Sequence, residues 1–144
     1  MPHDASKIQM GTTKSNIREV SNHVGAVAAG KVVHLKSDDT ITTVVTDGAA
    51  VGVSLGRDQS STTQTHTAIA NKGIGVPILL DSGYEPDVGE QVAIIDATGI
   101  ARAYTGTGDY YVNAHFSSEK LSAVDEDGVA ITNGAAYIDF PGGL

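Results

Sequence analysis

The sequence predicts an all-β protein, a small barrel or sandwich carrying an extended N-terminal arm. Two observations predict this class and a third describes its core. Val, Thr and Ile supply 15, 14 and 11 of the 144 residues, and branched side chains fit a pleated surface better than a helix. From Gly25 onward, turn signals such as Asp47-Gly48, Thr98-Gly99 and Asn133-Gly134 break the chain into roughly eight to ten short segments, about 8 to 12 residues apart. Aromatic residues make up only 5% and Trp is absent, so the core is expected to consist of Val, Ile, Leu and Ala. Such a core buries less area per residue, and assembly with other copies would add stability.

In chain order, residues 1–22 are polar and lack a sustained period, and they read as an arm. Ile8, Met10, Ile17 and Val20 are its scattered apolar points, suited to pinning an extended segment on a partner. A short helical turn is expected over Ser15–Ser21. Residues 23–144 then form one β-rich domain, the size of a single modest core. Lys31–Lys36 and Thr40–Val45 are strands around a turn at Ser37-Asp38-Asp39. Ala50–Leu55 is a strand whose Gly52 and Ser54 face is small enough to admit a second layer or another chain. A hydroxyl-rich connection leads to a second apolar run, Gly73–Leu80. Glu90–Asp96, Ile100–Tyr104 and Tyr110–Phe116 follow as strands, Ser117–Val124 fits no single class, and a hairpin of Gly128–Thr132 and Ala135–Phe140 turns at Asn133-Gly134.

Charge and composition exclude several functions. Net charge is −8, and residues 81–144 hold eleven Asp and Glu against Arg102 and Lys120, whereas residues 1–80 are close to neutral. An acidic surface repels phosphate, so direct nucleic-acid binding is not expected, and the near-neutral half is the better docking surface. Zero Cys removes disulfides, thiolate catalysis and Cys-based metal sites. The sequence has neither a signal-peptide core nor an apolar run long enough to span a membrane, so a soluble protein made in a cytoplasm is expected.

No constellation points to catalysis, a cofactor or a metal. Gly52-Val53-Ser54-Leu55-Gly56 matches the G-x-S-x-G nucleophile elbow, but no helical spacing follows it, and that elbow needs a strand-to-helix turn. A small serine hydrolase using Ser54 is therefore only an alternative. His3, His23, His34, His66 and His115 have no short ligand spacing, although His34 and His66 could meet across a sheet. Asp125-Glu126-Asp127-Gly128 lacks the alternating ligands and terminal Glu of a calcium loop. Gly73-Ile74-Gly75 and Gly106-Thr107-Gly108 lack the third Gly and the helix of a dinucleotide loop. A carbohydrate-binding β-sandwich is the other alternative, with Tyr84, Tyr104, Tyr110 and Tyr111 in place of the absent Trp.

Thr46-Asp47-Gly48-Ala49-Ala50-Val51-Gly52, the aliphatic strand after it and Asp58-Gln59-Ser60-Ser61-Thr62-Thr63 resemble the head decoration proteins of lambda-type tailed phages. The resemblance covers these residues and fades outside them. It implies a β-tulip-like domain that is not an enzyme, a capsid-stabilising cement protein on the outer surface of the virion. Its partner would be the major capsid protein lattice, bound most often as a trimer, after synthesis in the host cytoplasm. The arm, from Ser6 to Val20, would then carry much of the docking.

Overall fold

The chain, described here by a computed structural model, is nearly all β among the described residues, which are 7–11, 16–22, 27–56 and 66–144, with 16–22 and 66 described by their main chain alone. Ten strands follow in order: β1 (Lys7–Gln9), β2 (Asn16–Asn22), β3 (Val32–Leu35), β4 (Thr40–Thr42), β5 (Ala49–Gly56), β6 (His66–Leu79), β7 (Gln91–Ile95), β8 (Asp109–Phe116), β9 (Leu121–Val124) and β10 (Ala130–Phe140). They form one mixed sheet in which β1–β9 and β2–β4 pair parallel and the other pairs run antiparallel.

The sheet is not closed into a barrel, which corrects that part of the expectation. Five strands, β6, β2, β4, β3 and β5, pair in a ring, but the ten-stranded sheet as a whole forks at β10. One of its edges pairs with β6, while the other is shared by β9 near Ala130–Ala135 and by β8 at Ile138 and Asp139. β6 is the strand on which the two halves meet. Its first half pairs with β2 and β5, and its second half, from Gly73 to Leu79, pairs with β10.

Alternation builds the main core. On β8, Val112, Ala114 and Phe116 are buried while Tyr111, Asn113 and His115 are exposed, the period of two expected of a half-buried strand. The buried set packs with Val92 and Ile94 of β7, Ala136, Ile138 and Phe140 of β10, Val76 and Ile78 of β6, and Val32 and Val53. Both Phe residues are in this cluster, so the scarce aromatic volume of the interior sits at its centre.

Residues 7–11 and 16–22 differ most from expectation. Ile8 and Met10 are buried, with Ala29, Ala123 and Ala135, in a second cluster beneath β9 and β10. β1 lies beside β9, and the Met10 N–H donates to Val124 O at 3.0 Å. The helical turn placed at Ser15–Ser21 is strand β2, paired with β6 from Asn16 to Ser21. Tertiary pairing overrides the weak local preference here: a few apolar points that could not hold a helix suffice when the main chain joins a ladder. Ile8 and Met10 thus face the chain's own core and not a partner, whereas the side chains of Ile17 and Val20 lie outside the described residues.

Two further expectations change. Asn133-Gly134 is not a hairpin turn, because β10 runs unbroken from Ala130 to Phe140. Thr132, Asn133 and Gly134 bulge opposite Ser122, with Gly134 at φ 68°, where only a residue without Cβ is unstrained. Ile100–Tyr104 is no strand; Ala101 makes isolated bridges to Leu80 and Ile94. The hydroxyl-rich residues 57–65 lie outside the described residues.

If β1 is part of the fold, Ile8→Ala should lower stability by about 2–5 kcal/mol, the usual cost of truncating a buried aliphatic side chain. Urea unfolding should show a lower midpoint with an unchanged slope. A midpoint equal to that of the parent chain would mean that β1 contributes nothing to the fold.

Candidate functional site

The turn from Thr46 to Gly52 is built by close main-chain approaches. A 3-10 turn, Val45–Asp47, leads into β5. Gly48 is extended, yet a Cβ there would lie 1.7 Å from Leu35 O, because the start of β5 presses on the end of β3. At Gly52 a Cβ would lie 2.4 Å from Ala70 O of β6. Any side chain at either position would force strands apart. Thr46 and Asp47 before Gly48, and Ala49, Ala50 and Val51 between the two glycines, are all at least partly exposed.

The turn is tied to the loop after β7. Asp96 Oδ1 accepts the Val45 N–H at 2.9 Å, and Thr43 Oγ1 donates to Ala97 O at 2.7 Å. His34 is buried nearby, 3% exposed, and its Nδ1 lacks a partner. Burial lowers its pKa, against the pull of Asp96 and Asp47, because a charged imidazole would lose its hydration there. The strands of His34 and His66 are not paired, since β3 pairs with β4 and β5 and β6 with β2, β5 and β10; the side chain of His66 lies outside the described residues. His3 and His23 lie outside the described residues.

Ser54 sits in the same junction and is fully buried. Its Oγ donates to Val27 O at 2.9 Å and accepts the Gly56 N–H at 3.1 Å. Its main chain joins the Gly30 turn, with Ser54 N–H donating to Lys31 O and Ser54 O accepting from Gly30 N–H. The small face of β5 is thus filled by the chain's own strands and turns. A nucleophile needs an accessible Oγ and a base to take its proton, and this hydroxyl proton is directed at a main-chain carbonyl. The structure therefore sets aside Ser54 as the centre of a hydrolase.

The other candidates also resolve into local structure. Asp125 Oδ1 accepts the N–H groups of Asp127 and Val129, closing an exposed acidic turn. Gly73 and Gly75 flank a bulge where Asp139 Oδ1 accepts the Gly75 N–H at 2.7 Å. Among the described residues no group of three His, Asp or Glu is placed to hold a metal ion. The bulge in β10 borders a cavity of about 350 Å³ that includes Glu85, Lys120, Ser122 and Thr132 in its lining.

One arrangement escapes sequence reasoning. Asp109, at the start of β8, buries its carboxylate completely and accepts Arg102 Nε at 2.8 Å and the Thr105 N–H at 2.7 Å, with the Thr105 hydroxyl closing the same bond set. The Thr105 hydroxyl and then Arg102 hold its pKa below the ordinary carboxylate value, against burial. This clamp folds the 102–109 loop back so that Tyr104 stacks on Tyr111, with ring centres 4.4 Å apart and planes 15° apart. Tyr84 packs edge-on against Phe116, and burial and the Glu90 carboxylate raise its pKa, so its hydroxyl stays protonated. Only the scarcity of cations in the acidic half hinted at Arg102; nothing local identified its partner.

Replacing Ser54 by Ala should cost about 1–3 kcal/mol, since the Val27 carbonyl and the Gly56 N–H lose a partner in a buried site. A serine-directed fluorophosphonate should leave the parent protein unmodified, and stoichiometric labelling at Ser54 would contradict the structural role. No protein-family model and no curated protein matches the chain.

Proposed function

We propose that the chain is a structural virion protein, a decoration or cement protein that binds the outer surface of a phage capsid and stabilises the expanded head. The observation that carries this reading is the nature of the shared segment. In Thr46-Asp47-Gly48-Ala49-Ala50-Val51-Gly52, both glycines stand where a Cβ would strike a carbonyl oxygen of a neighbouring strand. The likeness to head decoration proteins therefore resides in residues that fix a geometry, which chance composition does not readily reproduce. The all-β architecture agrees with it.

The proposed partner is the major capsid protein lattice, and the working form is a homo-oligomer, with a trimer favoured by the resemblance. Many identical copies on a lattice raise the effective concentration of each weak contact. The near-neutral half of the chain is the proposed capsid-facing side, while the acidic half, residues 81–144, points outward. Because residues 7–10 and the main chain of 16–22 belong to the sheet, docking by a detachable arm is not part of this proposal. No helix among the described residues is long and apolar enough to cross a membrane. The chemistry proposed is binding without catalysis, with no cofactor.

The test is to add the purified chain to expanded capsids that lack it, taken from the phage that encodes it, and to sediment the particles. Saturable co-sedimentation at a fixed ratio to capsid protein, together with greater resistance of the heads to thermal rupture, is expected. Protein left in the supernatant at every concentration would overturn the proposal.

A further inference from the structure

The chain has five Tyr, two Phe and no Trp. Both Phe are buried, whereas Tyr104 and Tyr111 are stacked together at the surface, 48% and 53% exposed. Exposed rings normally lose their order, but this pair is mounted on a rigid frame. The buried Asp109 carboxylate holds Arg102 and Thr105 on either side of Tyr104, and Tyr111 follows two residues after Asp109 on β8. A preorganised aromatic surface binds with little further loss of side-chain entropy.

The groups beside the pair indicate what it binds. Strand alternation puts Tyr111, Asn113 and His115 on one exposed face of β8, and Gln91 of β7 pairs with His115. Asn113 Nδ2 donates to Gly143 O and Gln91 Nε2 to Val112 O, each at 3.2 Å, which fixes both amides and leaves their oxygens, the second hydrogen of each nitrogen and the His115 imidazole next to a flat aromatic surface. Hydroxyl groups match such a row. An ammonium or guanidinium would require free carboxylates; the row contains none, and those around it are engaged, Asp109 by Arg102, Asp139 by the Gly75 N–H, and Glu90 by Tyr84 and the Asp87 N–H. A polyanion is repelled by the acid excess of residues 81–144.

We infer that this face is a binding site for a neutral oligosaccharide, with Tyr104 and Tyr111 as the stacking surface for the C–H face of a sugar ring and Asn113, His115 and Gln91 as hydrogen-bond partners of its hydroxyls. The site lies in the acidic half and is independent of capsid binding. The same molecule could then hold a shell with one side and a polysaccharide with the other.

Because the chain has no Trp, its emission comes from its five tyrosines, two of which form the site. Cellohexaose, maltohexaose and mannohexaose are titrated separately into the full chain, with a hyaluronan hexasaccharide and hexalysine as charged comparisons. At least one of the three neutral hexasaccharides should change the emission saturably. Tyr111→Ala should weaken that binding about tenfold, in line with the usual worth of an aromatic contact, at an unchanged melting temperature, while Tyr111→Phe retains it. Amide shift mapping on the parent protein, together with Asn113→Ala, gives the same answer should Tyr111→Ala fail to fold. The inference is overturned if none of the three binds, if hexalysine binds this face instead, or if the shifts and the variants leave β8 unaffected.

Discussion

The structure depends on β6 having neighbours on both edges and in both halves of the molecule. Its first half lies so close to β5 that Gly52 has no room for a side chain beside Ala70 O. Its second half pairs with β10, and Val76 and Ile78 enter the main core from there. Between them the bulge at Gly73–Gly75, held by the Asp139 carboxylate, lets one strand change partners without a break. The same β-bulge device recurs in β10 at Gly134, where the strand passes from β9 towards β8.

Burial in this junction leaves little for exposed chemistry. Ser54 has both of its hydrogen-bonding roles engaged, as a buried hydroxyl generally must. Burial lowers the pKa of His34, because its lost hydration outweighs the pull of Asp96 and Asp47. The polar groups with exposure to partners lie elsewhere, on the outward face of β8 and the turns of the acidic half.

Legibility followed the period of two. β3, β5, β7 and β8 were readable because β-branched runs bounded by turn residues mark them, and their ends agree to within a residue or two. β1 and β2 were not readable: Ile8 is one apolar residue among polar ones, and its burial arises from Ala123 and Ala135, more than a hundred positions away. Asn133-Gly134 has the chemistry of a hairpin turn, but β9 pairs with β10 on both sides of it, at Ile131 and at Ala135, and so carries the strand through as a bulge. In the site, Gly48 and Gly52 were visible as small residues, but which strand approached them was not. The Arg102–Asp109 clamp is short-range in sequence and still escaped notice, because the depth to which Asp109 is buried is a tertiary property.

If β6 joins the two halves into one cooperative unit, native-state hydrogen exchange under increasing denaturant will show a single opening for both. Amides of Ala70 in the first half and Ile78 in the second should exchange only through global unfolding, with the same opening free energy and the same denaturant dependence. Exchange at Ala70 by a separate, lower-energy opening while Ile78 remains protected would contradict the claim and would mean that the β2–β5 side folds and unfolds as a unit of its own.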